Sequence, residues 1–349
     1  MGEVATLPVT RFVGSHYEIG LQMGPRLRTV PLPPADEGRV RFAQRCEGLA
    51  REVYPPLLEK VEGMIAGGDL PATPFKAYFY GRGGPPQVGC TNIAVMPEIT
   101  PDGQLWVARN YDWYYEARPW REVRQIAPQG ALRHLGVTHH WAGSPDGMNE
   151  RGLVVLLAAL PGLDATGPGL HWHMLIDILL ETCANAQQAR AFITSVPHLL
   201  AFNYLIADAQ EAMVAEATPQ GVTLREPEEG ILVATNHLPG REQPEGGMSE
   251  GERLRQRLSI RRYQRARELL GERRGALDVE ALQAILRDHE GGLCRGNHPT
   301  LAPQAGFHAS FGTIWSLVGQ PERREFLVAP DHPCQVEYKA YRWMEYSDD

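Results

Sequence analysis

The segment GCTNIAVM places Cys90 directly after Gly89 and at the start of a strand-like run, residues 91–96. Free cysteine is among the most buried residue types and usually packs like a small apolar side chain. A thiolate, however, is also the attacking group of thiol enzymes. Cys90 is therefore a candidate nucleophile, and an inert core residue is the alternative.

A predicted β-hairpin defines what lies opposite Cys90. Residues 91–96 and 104–110 are strand-like, and Pro-Asp-Gly at residues 101–103 is typical of the turn between them. If the chain turns near residue 102, residue 90 lies across from about residues 112–115, because antiparallel partners sum to a nearly constant number. The facing segment reads ARNYDW.

That segment supplies two charged candidates, Arg109 and Asp112. An arginine near Cys90 would favour its thiolate, and a carboxylate could orient an amine. Positions three apart on a regular strand face opposite sides. Both side chains therefore reach one site only if the strand ends or bulges near Asn110. An exposed salt bridge between the two residues is the alternative.

A thiol nucleophile also needs a base, which is either a histidine or the α-amino group of the nucleophile itself. The chain has 12 histidines, and the sequence alone places none of them beside Cys90. An α-amino group, with a pKa of about 8, suits this work but is free only if the chain is cut before Cys90. Gly89 fits such a cut, because a residue without a Cβ leaves its carbonyl open to the thiol. The glycine- and proline-rich residues 81–88 would let the new ends separate.

Composition excludes several other classes of protein. The 349 residues carry a formal net charge of −8, which argues against a nucleic-acid-binding surface. The N-terminus lacks the pattern of a secretory signal, and no stretch of about 18 apolar residues could span a membrane. The five cysteines form neither a disulfide framework nor a zinc motif in the sequence; they are Cys46, Cys90, Cys183, Cys294 and Cys334. We therefore expect a cytoplasmic protein without a cofactor.

Hydrophobic periodicity predicts a mixed α+β fold. Helices are predicted within residues 14–66 and over 170–183, 186–195, 251–270 and 279–288, with Asn185 and Asp278 as N-caps. Further strands are predicted over 152–160, 202–208, 211–218, 231–238, 313–319 and 325–330. Residues 239–252 read as a loop. Several strands are apolar throughout, which indicates sheets covered on both faces and stacked layers with helices outside.

The segment GCTNIAV…DGQLWVARNYDW resembles the peptidase C45 family, the acyl-coenzyme A:6-aminopenicillanate acyltransferase-like proteins. That family belongs to the N-terminal-nucleophile hydrolases and is related to the choloylglycine hydrolases. The resemblance continues in the family's order through residues 14–27, 147–155, 235–238, 259–270, 285–295 and 313–334.

The resemblance implies a four-layer αββα sandwich and self-cleavage between Gly89 and Cys90. The products would be a small chain, residues 1–89, and a large chain, residues 90–349, that stay together as one αββα domain. The resemblance also assigns site residues: Cys90 as the nucleophile, Asp112 as the acid bonded to its freed amine, Arg109 as the arginine near the sulfur, and Asn236 as an oxyanion donor. Tyr111 and Trp113, which flank Asp112, are predicted to bind substrate.

Arg262 is predicted as a substrate-binding residue for two reasons. It matches the site arginine of the choloylglycine hydrolases, which precedes an aromatic residue, here Tyr263. On a helical wheel it also lies in an apolar stripe with Leu258 and Ala266, where a charge is costly unless it has a partner. A solvated surface arginine is the alternative.

One departure from the choloylglycine pattern weakens a bile-salt assignment. Those hydrolases carry an asparagine on the strand that here reads GLVVLLAALPG, at the position of Ala159. The site would therefore lack one polar group and depend more on Asn236 and backbone N–H groups.

No metal site is expected from the sequence. His139 and His140 are adjacent and His171 and His173 are two residues apart, but the side chains diverge at these spacings, and no other ligands stand at metal-binding intervals. Cys294 and Cys334 are interpreted as structural residues. His289 is interpreted as a capping or packing residue at a helix end.

The leading hypothesis is a self-processing amidohydrolase of linear amides or an acyltransferase that forms an acyl-enzyme on Cys90. Its partner would be a small-molecule acyl amide or acyl-CoA, with neither nucleic acid nor a membrane involved. Two alternatives stay open: a thiol hydrolase with a histidine base and no self-cleavage, and a non-catalytic small-molecule-binding protein on the same scaffold. The sequence also leaves the oligomeric state open, a homo-oligomer included.

Overall fold

Two stacked β-sheets form the centre of the computed structural model, which describes residues 6–30, 32–81, 89–140, 142–160, 167–241, 248–296 and 311–343. The larger sheet has eight strands in the order β1-β4-β5-β6-β7-β8-β9-β10. Its strands are β1 (Val9–Gly14), β4 (Glu122–Pro128), β5 (His134–Thr138), β6 (Asp146–Asn149), β7 (Val154–Ala159), β8 (Phe202–Ala207), β9 (Ala212–Thr218) and β10 (Gly221–Arg225).

The smaller sheet has six strands in the order β11-β2-β3-β12-β13-β14. Its strands are β2 (Gly89–Val95), β3 (Trp106–Tyr114), β11 (Ile231–Ala234), β12 (Phe311–Gln320), β13 (Glu325–Ala329) and β14 (Lys339–Arg342). All of its pairings are antiparallel, whereas β1 pairs with β4 in parallel. The predicted hairpin is therefore present as β2 and β3 at the centre of this sheet.

Several of the described helices begin at a side-chain cap. The α-helices are α1 (His16–Met23), α2 (Glu37–Val53), α3 (Pro56–Gly68), α4 (Ala72–Gly81), α5 (Trp172–Thr182), α6 (Ala186–Ser195), α7 (Glu250–Glu272) and α8 (Val279–Leu286). The predicted N-caps Asn185 and Asp278 accept backbone N–H groups of the first turns of α6 and α8. Ser249 and Glu252 form a capping box on α7.

Three apolar layers hold the sheets and helices together. One lies between the two sheets. A second joins α1 to α6 with the outer face of the larger sheet, and a third joins α7 and α8 with the outer face of the smaller sheet. The order is helix, sheet, sheet, helix, which confirms the predicted four-layer αββα sandwich.

Some local predictions were incomplete. Strand β1, which lies just before the predicted helical region of residues 14–66, was not predicted; its parallel partner β4 lies more than a hundred residues away in the chain. The loop predicted over 239–252 ends earlier, because α7 begins at Glu250. The predicted loop at 81–88 falls almost wholly outside the described residues, and its first residue, Gly81, ends α4. Of the described helices, none combines the length and apolar character needed to cross a membrane.

Candidate active site

The hairpin of β2 and β3 places Cys90 opposite Tyr111 and Gly89 opposite Asp112. Tyr111 lies one residue outside the predicted partner range of residues 112–115 and three residues from the partner that a turn at residue 102 gives. The reason is the position of the turn, which centres between residues 100 and 101 because a short 3-10 helix, Pro97–Ile99, follows β2.

The side chains of Arg109 and Asp112 point to opposite faces of β3. Arg109 shares a face with Tyr111, between the sheets, whereas Asp112 points towards the helical layer of α7 and α8. The predicted break near Asn110 is wrong for β3, whose pairing with β2 is regular from Trp106 to Asp112. The irregularity lies in the neighbouring strand β12, between Thr313 and Trp315.

Burial dominates the chemistry of the Cys90 thiol. The side chain is almost fully buried, and the Arg109 guanidinium donates to its sulfur over 3.7 Å. Burial raises the pKa of Cys90 to about 11 even though Arg109 and Arg262 lower it. The thiol is thus protonated at neutral pH.

Arg109 is fixed between the sheets by three neighbours. Its guanidinium donates to the Pro145 carbonyl at 3.2 Å, lies 3.5 Å from the Asp146 carboxylate, and stands over the Tyr111 ring with its central carbon 4.9 Å from the ring centre. Burial raises the pKa of Asp146 to about 6, against the opposing charge of Arg109. The predicted exposed salt bridge between Arg109 and Asp112 is wrong, since both residues are buried and pair elsewhere.

Asp112 lies directly against Gly89. Its carboxylate accepts the Thr313 hydroxyl at 2.8 Å and pairs with Arg295 at 3.5 Å. A Cβ on residue 89 would stand 2.6 Å from an Asp112 oxygen and 2.5 Å from an Arg295 nitrogen, so any side chain here would force Asp112 and Arg295 to shift. Burial raises the pKa of Asp112, while Arg295 and Arg262 oppose that rise.

Asn236 holds the backbone nitrogen of Cys90. The Cys90 N–H donates to Asn236 Oδ1 at 2.7 Å, and Arg262 donates to the same oxygen at 2.8 Å. Asn236 Nδ2 donates to the Ala159 carbonyl at 3.0 Å. The Asn236 oxygen thus faces two N–H donors and its nitrogen faces a carbonyl. Only this orientation of the side-chain amide satisfies all three hydrogen bonds.

Arg262 is buried, at 3% exposure, so the solvated-arginine alternative is wrong. Its guanidinium also donates to the Cys90 carbonyl at 3.4 Å. Burial lowers the pKa of Arg262 to about 10, and Asp112 and Cys90 partly counter that effect. The positively charged Arg262 guanidinium therefore extends from α7 to Cys90 and Asn236, on the helical side of the smaller sheet.

The predicted substrate-binding aromatics lie on the other side, between the sheets. The Tyr111 ring stacks on Trp315, with ring centres 4.0 Å apart, and Trp113 stacks more loosely on Tyr111 at 6.0 Å. The Tyr111 hydroxyl contacts both His139 and His140 at 3.1 Å. Burial lowers the pKa of His139 to about 3, which makes it a weak base at neutral pH.

The sequence analysis assigned no role to four residues that complete the site. Thr313 and Arg295 contact Asp112, Asp146 pairs with Arg109, and the Ser259 hydroxyl accepts the backbone N–H of Asn236. They come from segments far apart in the chain. Thr313 and Arg295 lie in segments that carry the family resemblance, which was the available signal for them.

Comparison with known families yields one match. The family model described as acyl-coenzyme A:6-aminopenicillanic acid acyl-transferase matches residues 99–329, more than half of the chain. The matched range begins after Cys90 and includes Arg109, Asp112, Asn236 and Arg262.

Solved structures with the same architecture include three hydrolases. A variant of conjugated bile acid hydrolase from Clostridium perfringens is 12% identical, covers 74% of this chain and 100% of its own, and has a TM-score of 0.50. An N-acylethanolamine-hydrolyzing acid amidase ortholog from Caenorhabditis elegans is 16% identical over 66% of this chain and 93% of its own, with a TM-score of 0.46. Penicillin V acylase from Agrobacterium tumefaciens is 15% identical, covers 69% of this chain and 83% of its own, and has a TM-score of 0.44. At these identities the likeness concerns the fold alone.

Proposed function

Because the chain belongs to the acyl-coenzyme A:6-aminopenicillanic acid acyl-transferase family, we propose that it is a self-processing enzyme whose nucleophile is the freed N-terminal Cys90. It would act on linear amide C–N bonds through an acyl-enzyme on the Cys90 sulfur. Acyl transfer to water or to an amine would complete the reaction.

One observation carries this proposal: polar side chains hold both sides of the Gly89–Cys90 bond. On the glycine side stand the Asp112 carboxylate and the Arg295 guanidinium, too close for any side chain on residue 89. On the cysteine side, Asn236 accepts the N–H and Arg262 donates to the carbonyl. A cysteine that merely fills a core does not need charged groups around its own peptide bond.

Self-cleavage would begin with attack of the Cys90 sulfur on the Gly89 carbonyl carbon. The C–N bond breaks, its nitrogen takes up a proton, and a thioester joins Gly89 to the Cys90 sulfur. Water then hydrolyses the thioester, giving the Gly89 carboxylate, the free Cys90 thiol and the free Cys90 amine. The net change is hydrolysis of one peptide bond.

After cleavage, the new amine would serve as the base. It takes the thiol proton, which a buried thiol with a pKa near 11 does not release by itself at neutral pH. Asn236 Oδ1, which already accepts the Cys90 N–H, would orient the amine, and Asp112 would accept from it. Arg109 would stabilise the thiolate that results.

The substrate-facing roles follow from position. Arg262 offers a buried positive charge beside the Cys90 carbonyl, and Tyr111 and Trp113 offer an aromatic wall. Asn236 Nδ2 donates one N–H to the Ala159 carbonyl and has a second N–H to offer an oxyanion, a task that backbone N–H groups would share. We favour hydrolysis of an acyl amide, with acyl transfer from an amide or acyl-CoA to an amine as the competing outcome.

The decisive experiment is intact-mass analysis of the purified full-length protein, with N-terminal sequencing of the larger fragment. We expect fragments divided between Gly89 and Cys90, and an unprocessed Cys90→Ala variant. Cys183→Ala is the matched control, because Cys183 is equally buried but lies outside the site, and it should process normally. An active enzyme with an unbroken backbone through residue 90 would refute self-cleavage and favour a histidine base.

A substrate panel then separates the remaining functions. Penicillin V, N-acyl amino acids and aminopenicillanate with acyl-CoA cover hydrolysis and acyl transfer. We expect turnover by wild-type protein and none by Cys90→Ala. Retention of ligand binding by Cys90→Ala, with no turnover by either protein, would instead indicate a binding protein.

A further inference from the structure

A cluster of soft metal ligands lies behind the candidate active site. His289, Cys294 and Cys334 each offer one donor atom, and these three atoms lie within 4.8 Å of one another. Among the described residues it is the one such group found. We propose that these three side chains bind a zinc-type divalent ion, with a water molecule in the fourth position. The proposal is independent of the proposed function, since it uses none of the reacting groups.

The two sulfur atoms are already close to the spacing that zinc requires. They lie 3.6 Å apart. Two thiolates bound tetrahedrally at a Zn–S distance of about 2.3 Å are separated by roughly 3.8 Å. The histidine nitrogen needs to approach by at most about 1 Å to complete the same geometry. Two sulfurs and one imidazole form a donor set that favours zinc over magnesium or calcium.

Backbone contacts hold the ligands before any ion binds. The turn after α8 is closed by the Cys294 N–H, which donates to the Asp288 carbonyl at 2.9 Å. Asn110 of β3 donates to the Leu286 and Leu293 carbonyls at 2.8 Å and so anchors this turn to the catalytic hairpin. On the other side, Arg287 donates to the carbonyl of Pro333, the residue before Cys334. Both cysteines are therefore attached to the end of α8.

One backbone contact favours a thiolate at Cys294, against the effect of burial. The Cys334 backbone N–H donates to the Cys294 sulfur, and such a bond stabilises a thiolate. Burial and the neighbouring Cys334 thiol nevertheless raise the pKa of Cys294, so an ion has to displace its proton. The two cysteine thiols would bind the divalent ion as thiolates, and the neutral imidazole would bind unchanged. Binding would therefore release two protons.

An ion here would act on the active site through the chain. Cys294 is followed by Arg295, whose guanidinium pairs with Asp112 and whose N–H donates to Thr313. Fixing Cys294 would therefore fix the backbone beside the partner of the Asp112 carboxylate. The ion would also join the α8–β12 connection to the β13–β14 connection.

The test uses full-length protein without a histidine tag, freed of metal by a chelator, reduced, and titrated with cobalt. The Cys90→Ala background removes an N-terminal amine and thiol that could themselves bind metal. We expect about one cobalt per chain, with a sulfur-to-cobalt charge-transfer band and the visible bands of tetrahedral cobalt. Zinc should displace cobalt and abolish these bands.

Variants locate the site. Cys294→Ser, Cys334→Ser and His289→Ala should each weaken cobalt binding by at least ~10-fold, whereas Cys46→Ser, another buried cysteine, should leave it unchanged. Because Cys294→Ser could impair folding, the half-buried Cys334 provides the second measurement. Zinc should raise the Tm of the Cys90→Ala protein, but it should not raise the Tm of the same protein that also carries Cys334→Ser.

Three outcomes would overturn the proposal. The first is that the reduced Cys90→Ala protein, titrated with cobalt, shows no cobalt–thiolate band. Another is a band that persists when both Cys294 and Cys334 are replaced by serine. The third is a Cys294–Cys334 disulfide in freshly purified protein that, once reduced, binds no cobalt.

Discussion

At the scale of the residue, the main result is that burial of Cys90 outweighs the arginines around it. An arginine beside a cysteine is expected to favour the thiolate, and Arg109 does act in that direction. Loss of hydration is larger, and the pKa of Cys90 rises to about 11. The thiol therefore depends on a nearby base, and Asn236 already orients the nitrogen that could become one.

Gly89→Ala tests whether the close approach at the cleavage site matters. The added methyl group would collide with an Asp112 oxygen and an Arg295 nitrogen, both under 3.0 Å away. We expect self-cleavage to slow by at least ~10-fold, equivalent to about 1.4 kcal/mol in the activation barrier. The measurement is the time course of fragment appearance on denaturing gels.

The control for that substitution is Gly271→Ala in α7, where a Cβ meets nothing within 4 Å. It should process at the wild-type rate, because alanine also suits a helix better than glycine. If Gly89→Ala processed as fast as Gly271→Ala, the packing of Asp112 and Arg295 against residue 89 would have no role in cleavage.

Asp112→Asn tests the carboxylate beside the amine. The amide keeps the size and the Thr313 contact but removes the negative charge. We expect self-cleavage to slow and kcat/KM of the processed protein to fall by about 10²-fold near pH 7. The acid limb of the pH–rate profile should move to lower pH, because removing a nearby anion lowers the pKa of an amine.

Asp102→Asn is the matched control, since Asp102 stands in the exposed turn of the same hairpin. It should leave the rate and the pH profile unchanged. An acid limb that stays at the same pH in Asp112→Asn would show that Asp112 does not contact the group that titrates.

At the scale of the elements, helices of the proposed small chain are bound to α5 by buried polar contacts. Lys60 of α3 pairs with Asp177 of α5 at 2.7 Å, and both side chains are buried. His16 of α1 and the Tyr54 hydroxyl both contact Glu181, also on α5, at 2.9 and 2.7 Å. Charges buried in this way stabilise the contact only while both partners are present.

Lys60→Met should therefore destabilise the fold strongly. It leaves Asp177 buried without its cation, which costs about 3–5 kcal/mol in the free energy of unfolding. The control, Lys76→Met in α4, removes a lysine that is partly exposed and paired with Glu47 and Glu62, and should cost at most ~1 kcal/mol. Urea titration measures the free energy of unfolding of both variants. An equal loss of stability in the two would contradict the idea that burial makes the Lys60–Asp177 pair important.

At the scale of the whole molecule, the fragments on either side of Cys90 share one core. Helices α1 to α4 and strands of the larger sheet contribute to the same apolar cluster. After self-cleavage, residues 1–89 and 90–349 should therefore elute together in gel filtration at neutral pH. Separation at neutral pH would contradict the proposed single domain.

Acid should weaken that association. Burial alone would raise the pKa of Glu181, but the nearby His134 ring at 3.6 Å, the contact with His16 at 2.9 Å and the charge of Lys60 lower it overall. A carboxyl whose pKa is lower in the folded state adds stability above its unfolded value of about 4.3 and loses it as the pH falls further. We expect the fragments to separate below about pH 4, and a Glu181→Gln variant to lose this part of the pH dependence.

The sequence by itself determined the parts of the structure that depend on local pattern. Apolar strand runs, the turn after β2 and the caps Asn185 and Asp278 predicted most of the inner elements and stacked layers with helices outside, whereas the four-layer αββα order came from the family resemblance. The hairpin was predicted with a register about three residues from the observed one, which was close enough to place Arg109 and Asp112 near Cys90. The helical wheel of α7 also predicted the burial of Arg262.

Tertiary structure alone decided which distant residues meet. Strand β1 pairs in parallel with a strand far along the chain, and Thr313 and Arg295 reach Asp112 from other elements, so no local pattern marks them. The sequence-based expectation of no metal considered ligands close together in the chain, whereas the fold brings Cys334 to Cys294 across 40 positions. Local pattern fixes how a segment buries its own side chains, but only the packing of the layers fixes which side chains share a site.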